Sequence, residues 1–127
     1  MSSLTGTTRK RLRDLSGKWK IVDMPDLDED YLMESKNPHL NLTFRGRSVS
    51  GHYEYGLCQG ELDGEVIEKG EDGKGLEIRF SFEGSDEMDE VNGYGEAVFS
   101  DDNKTLIGKF HYHFGDDWRF TCGRSHR

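Results

Sequence analysis

The chain has 127 residues, enough for one domain with its own core, and although 33% are charged against 32% apolar, seven Phe, five Tyr and two Trp are not the composition of a disordered segment. The net charge of −8 is unevenly spread: residues 1–20 sum to +5, residues 118–127 to +3 and the body between to −16, an acidic field that repels phosphate backbones and argues against a nucleic-acid partner. No run approaches the roughly 18 apolar residues of a membrane-crossing helix, and the N-terminus lacks the apolar core of an export signal, so no membrane association is expected and a cytoplasmic protein with free thiols at Cys58 and Cys122 is.

In chain order, residues 1–14 read as a flexible basic lead with a single helical turn, its Arg9, Lys10, Arg11 and Arg13 solvated. Residues 15–124 form one domain, and 125–127 a tail. Trp19 and Ile21 alternate with Lys18 and Lys20, which predicts a half-buried strand. Pro25 breaks it, and Asp26–Ser35 carries Leu27, Tyr31 and Leu32 at the spacing of a short helix that Asn37-Pro38 ends. From there the period is two. Leu40, Leu42 and Phe44 make one strand; Val49, Gly51, Tyr53, Tyr55 and Leu57 make the next, after a turn at Arg45-Gly46-Arg47. Leu62, Gly64 and Val66 continue weakly to a turn cluster at Glu71–Gly75. Leu76, Ile78, Phe80 and Phe82 form the cleanest strand, an acidic loop spans Glu83–Glu90, and a Gly-rich strand follows over 92–99. Leu106, Gly108, Phe110, Tyr112 and Phe114 alternate next, and a last strand carries Trp118, Phe120 and Cys122. About eight short strands with hairpin-like connections predict an all-β fold: a small antiparallel up-and-down barrel with a short helical segment after the first strand.

Three features bear on chemistry. The acidic run Glu83–Glu90 offers oxygen ligands to a hard cation, with Asp86 and Asp89 as the candidates; it lacks the EF-hand spacing, and the alternative is a solvated hairpin loop. His111 and His113, two apart on a strand, share a face near Asp116 and Asp117, a weak metal pattern with no third ligand set by spacing; both are also readable as exterior residues. His113 with Asp116, Asp117 or Glu87 makes an acid/base pair if the fold brings them together. No nucleophile elbow and no phosphate-cradling Gly loop is present, and no cofactor is expected. The third feature is aromatic: in a barrel of about eight strands Tyr53, Tyr55, Phe80, Tyr94 and Tyr112 line a small-molecule pocket or simply fill the core.

The opening Leu15-Ser16-Gly17-Lys18-Trp19-Lys20 resembles the Gly-x-Trp start of the calycins: lipocalins, fatty-acid-binding proteins and avidins. The resemblance implies that Trp19 plugs one end of the barrel and that a late arginine, Arg119 or Arg124, packs over it. Over residues 15–120 the chain also looks like a family of small uncharacterised bacterial proteins. The shared residues include Asp28, Asp30-Tyr31, Gly56, Gln59-Gly60, Asp63, the Glu83–Asp89 run, Gly93, Gly95 and His113-x-Gly115-Asp116-Asp117. The chain departs from that pattern at Leu27, where Trp is usual, and at Glu90, where Pro is usual; His111 lies outside it. The family implies no activity. The expected function is therefore a non-enzymatic module that binds a small molecule or partner at the barrel mouth. The alternatives are a metal-dependent or acid/base hydrolase built on the acidic run and His113, and a protein-interaction module presenting its acidic surface.

Overall fold

Apolar side chains at every second position give each strand one face that must leave water, and closing the sheet on itself buries all of those faces at once. A computed structural model, which describes residues 6–69 and 75–124, shows this closure. A helix α1 (Gly6–Leu15) precedes β1 (Gly17–Asp23). A short helix α2 (Glu29–Leu32) separates β1 from β2 (His39–Arg45), and β3 (Ser48–Tyr55), β4 (Cys58–Lys69), β5 (Gly75–Asp86), β6 (Asp89–Phe99), β7 (Thr105–Tyr112) and β8 (Asp117–Arg124) follow. Each strand pairs antiparallel with the next, and β8 returns to β1, with Trp19 opposite Arg124 and Ile21 opposite Cys122. The eight-stranded up-and-down barrel expected from the alternation is thus closed, with no sheet edge left open. A bulge between Ile21 and Asp23 lets the last pair of strands meet.

The interior is aromatic. Phe110 is its hub, with ring centroids of Tyr53, Tyr55, Phe80, Phe82 and Phe120 between 4.9 and 5.8 Å away. One end of the barrel is sealed. The lead, read as flexible with one helical turn, contains the ten-residue α1, whose Leu12 and Leu15 join the core. Gly17, at a φ of 117°, turns the chain from helix into strand, a backbone state that glycine adopts without a Cβ penalty. Trp19 is fully buried beneath the helix, and its indole N–H donates to the Leu15 carbonyl at 2.9 Å. The Arg124 guanidinium carbon lies 4.6 Å from the Trp19 ring centroid. Its N–H groups donate to the carbonyls of Asp14, Leu15 and Ser16, the negative end of α1. Of the two arginines the sequence offers as the cover of Trp19, Arg124 takes the place; Arg119 serves at the opposite end.

Three expectations change. The weak strand around Leu62 is the twelve-residue β4; its inward positions Gly60 and Gly64 hid it, because the Tyr53 hydroxyl of β3 takes the space at Gly60 and the β5 backbone at Arg79 and Phe80 closes on Gly64. The acidic loop is mostly sheet: Asp86 pairs with Asp89, and only Glu87-Met88 turns the chain, Glu87 at a φ of 58°. Phe114, read as continuing the inward alternation of Phe110 and Tyr112, lies beyond the end of β7 and is half exposed. The expected turn at residues 71–74, the tail 125–127 and the first five residues lie outside the described residues. No described helix is long and apolar enough to cross a membrane.

Candidate functional site at the open end of the barrel

Because the strands alternate in direction, the connections 24–38, 56–57, 87–88 and 113–116 all lie at the end opposite α1. They carry Asp26, Asp28, Glu29, Asp30, Glu34, Glu87 and Asp116 against Lys36 alone among Lys and Arg. Here the barrel has a mouth: an open cavity of about 370 Å³ lined by Asp26, Leu27, Asp28, Tyr31, Asp86 and Trp118.

The long connection between β1 and β2 builds one wall of it. Its Tyr31, on α2, lies across Gly56, in the turn between β3 and β4. Gly56 has a φ of 55°, and a Cβ there would come within 2.3 Å of the Tyr31 ring, so both backbone and packing require glycine. The Gly56 N–H also donates to the Leu32 carbonyl at 3.3 Å, which ties α2 to the rim.

Beneath Tyr31 runs a chain of polar groups. The Tyr31 hydroxyl donates to Asp86 Oδ1 at 3.0 Å and lies 3.4 Å from Cys58 Sγ. The Tyr112 hydroxyl donates to Cys58 Sγ at 3.9 Å and is bonded to the Tyr55 hydroxyl. Each hydroxyl or thiol has one hydrogen, so the direction is fixed: Tyr55 donates to Tyr112, Tyr112 to Cys58, Cys58 to Tyr31, and Tyr31 to Asp86. Burial pushes the Tyr31, Tyr55 and Tyr112 hydroxyls and the Cys58 thiol up, so all four stay protonated as neutral donors. Every dipole in the chain therefore points at the Asp86 carboxylate. One rung deeper, the Tyr53 hydroxyl occupies the space left by Gly60 and Gly84 and is buried with no hydrogen-bond partner among the described residues.

The acids at the mouth differ. Asp26 accepts the Arg119 backbone N–H at 2.8 Å and its guanidinium N–H groups at 3.0 and 3.1 Å. The Arg119 side chain, then its backbone N–H, holds the Asp26 carboxyl down to about 2. Asp28 and Asp86 have no ion-pair partner among the described residues.

The residues singled out from sequence scatter. Tyr53, Tyr55 and Phe80 are interior and packed around Phe110, and Tyr112 is interior against Phe82 and Trp118, with Tyr55 and Tyr112 in the polar chain above. Tyr94 is outside, 62% exposed, because β6 places glycines inward where the rings of Phe80 and Phe82 come in from β5. The acidic run and the His113–Asp117 run share the open end, yet no hydrogen bond joins them among the described residues. Asp86 turns to Tyr31, and Glu87 donates its backbone N–H to the Leu57 carbonyl. His113 Nδ1 lies 3.0 Å from the Asn92 carbonyl, away from the acids suggested as its partners. Among the described residues no three His, Cys, Asp or Glu side chains are grouped to hold a metal ion, so Asp86, Asp89 and His113 do not assemble into such a site.

Asp117 instead binds His111 on the barrel exterior. His111 Nδ1 lies 2.8 Å from Asp117 Oδ1, Nε2 lies 2.9 Å from both Glu96 oxygens, and Tyr94 stacks on the ring at 4.6 Å. A carboxylate on each ring nitrogen is satisfied on both sides only by imidazolium. Partial burial acts to lower the His111 pKa, but Asp117 and Glu96 together raise it above its ordinary value of 6.5. A raised folded-state pKa means that this interaction contributes fully below about 6.5 and is lost as pH rises through the folded value. Urea midpoints are therefore expected to fall between about pH 6 and about pH 8.5, and the fall should shrink in His111→Gln. An equal fall in both proteins would show that His111 contributes nothing.

The mouth was only partly legible. Asp86 and Trp118 stand out in the sequence as members of an acidic run and an aromatic set, and Tyr31 as an apolar helix position. What marks the site is the length of the 24–38 connection, far longer than a hairpin between neighbouring strands needs; long connections in compact domains are commonly functional. The chain matches no family model, no curated protein and no solved structure.

Proposed function

We propose that the protein is a non-enzymatic binding module of calycin-like architecture that takes a small molecule into the mouth of its barrel. The observation that carries this reading is the asymmetry of the two ends: Trp19, α1 and Arg124 seal one, while at the other the long 24–38 connection, with Tyr31 and Trp118, frames an open depression of about 370 Å³. The Gly17-x-Trp19 start with Arg124 over the ring supports the calycin resemblance. The protonated Tyr31, Tyr112 and Cys58 groups are engaged with one another and with Asp86, which supports a preformed polar wall at the mouth. Buried free thiols at Cys58 and Cys122 suit a reducing compartment, which supports a cytoplasmic location.

A thermal-shift screen of small soluble compounds, followed by ¹⁵N-amide titration of each hit, tests the reading. A ligand at a hundred times its Kd adds about 2.7 kcal/mol to stability, and its amide shifts should centre on residues 26–31, 86 and 118. Hits whose shifts map to the α1 end or to the outer wall would overturn it.

A further inference from the structure

We infer that the ligand of this mouth is a small organic cation, a protonated amine or quaternary ammonium on an apolar stem; this rests on reading the mouth as the binding site. The cavity has the lining such a molecule needs. Trp118 and Tyr31 supply aromatic surface, Trp being the best partner for a cation, and Leu27 supplies apolar surface for a stem. The charge of the lining is not balanced. Asp26 is committed to Arg119 through three hydrogen bonds, and Arg119 is committed to it. That leaves Asp28 and Asp86 facing one cavity with no cationic partner among the described residues.

The groups around Asp86 sharpen the choice. The hydroxyl and thiol hydrogens of Tyr55, Tyr112, Cys58 and Tyr31 are all used along the chain that ends on Asp86. An anionic ligand entering here meets two carboxylates, with those donors spent and Arg119 taken. A cation meets two acceptors. The charge pattern of the whole barrel agrees. Arg9, Lys10, Arg11 and Arg13 of α1, with Arg45 and Arg47, stand at the sealed end, and acidic connections ring the open one, so the field draws cations toward the mouth.

The test uses the full chain and three probes that share a phenyl ring and differ in charge: 2-phenylethylammonium, 2-phenylethanol and phenylacetate. Binding is followed by amide shifts and by the indole N–H signal of Trp118, assigned with Trp118→Phe. The ammonium should bind about tenfold or more tightly than the alcohol, and phenylacetate more weakly than either. Asp28→Asn with Asp86→Asn should remove that tenfold preference while leaving the amide spectrum of the sealed end unchanged; Asp28→Asn alone should remove part of it. If the alcohol or phenylacetate binds at the mouth as tightly as the ammonium, the cation assignment is wrong and the mouth reading stands. If none of the three moves the signals of residues 26–31, 86 and 118, the cation assignment and the mouth reading both fall.

Discussion

Phe110→Ala is expected to destabilise the protein by about 3–5 kcal/mol, the range for removing a large buried aromatic side chain. Phe110 is fully buried, and five other rings meet it from β3, β5 and β8. Because those rings come from three separate strands, relaxation to fill the space would require the barrel wall itself to move. Closed hydrogen bonding around the barrel resists that, so the cost should sit in the cavity range and not collapse toward the transfer term alone. Urea unfolding measures it: with slopes of about 1–3 kcal/mol/M the midpoint should fall by at least about 1 M. Phe114→Ala is the control. Phe114 belongs to the same apolar alternation by sequence, but it is 52% exposed beyond the end of β7 and touches Tyr112 on one face. Its loss should cost about 1 kcal/mol or less. Comparable losses for the two variants would contradict the placement of Phe110 at the hub.

Trp19→Ala should cost a similar amount, about 3–5 kcal/mol, and should act at a distance from the mouth. Trp19 holds three things together: the Phe99 ring at 5.4 Å, the Leu15 carbonyl through its indole N–H, and the Arg124 guanidinium above its face. Its removal leaves α1 attached through Leu12 and Leu15, the Arg124 hydrogen bonds, and the bonds of Thr8 to Glu68 and of Arg11 to Asn103 and Ser100. Native-state hydrogen exchange should then show α1 amides opening at lower free energy than the amides of β4 and β5, with α1 behaving as a separate cooperative unit. Trp19→Phe retains most of the ring contact and loses the bond to Leu15, so its cost should be nearer 1 kcal/mol. If α1 amides in Trp19→Ala stay as protected as those of β5, Trp19 is core filling and not the plug of the sealed end.

The sequence by itself determined the strands whose large residues all point one way. In β5, Leu76, Ile78, Phe80 and Phe82 face in while Arg79, Ser81 and Glu83 face out, and the alternation needs no neighbour to be read. The calycin resemblance of Gly17-x-Trp19 also implied a plug, but neither α1 above Trp19 nor the choice of Arg124 over Arg119 could be read from the sequence. The sequence could not determine β4 and β6 as well, because an inward glycine is defined by what fills its space. Gly60 and Gly84 accommodate the Tyr53 hydroxyl, and Gly93 and Gly95 the rings of Phe82 and Phe80; these side chains reach in from neighbouring strands. That is why β4 looked weak and Tyr94 looked interior.

The mouth is a tertiary fact throughout. Period two tells which face of a strand is wet, but not how far one strand is staggered against the next, and in a closed barrel the stagger decides which residues share a rung. Only the register that sets Cys58 opposite Asp86, and the fold of the 24–38 connection over that rung, bring Tyr31 within hydrogen-bond reach of both. The same stagger pairs Asp117 with His111, and leaves His113 on the Asn92 backbone. Composition alone shows an acidic body; closure of the barrel decides that Asp26 is neutralised by Arg119 while Asp28 and Asp86 face a cavity beside Trp118.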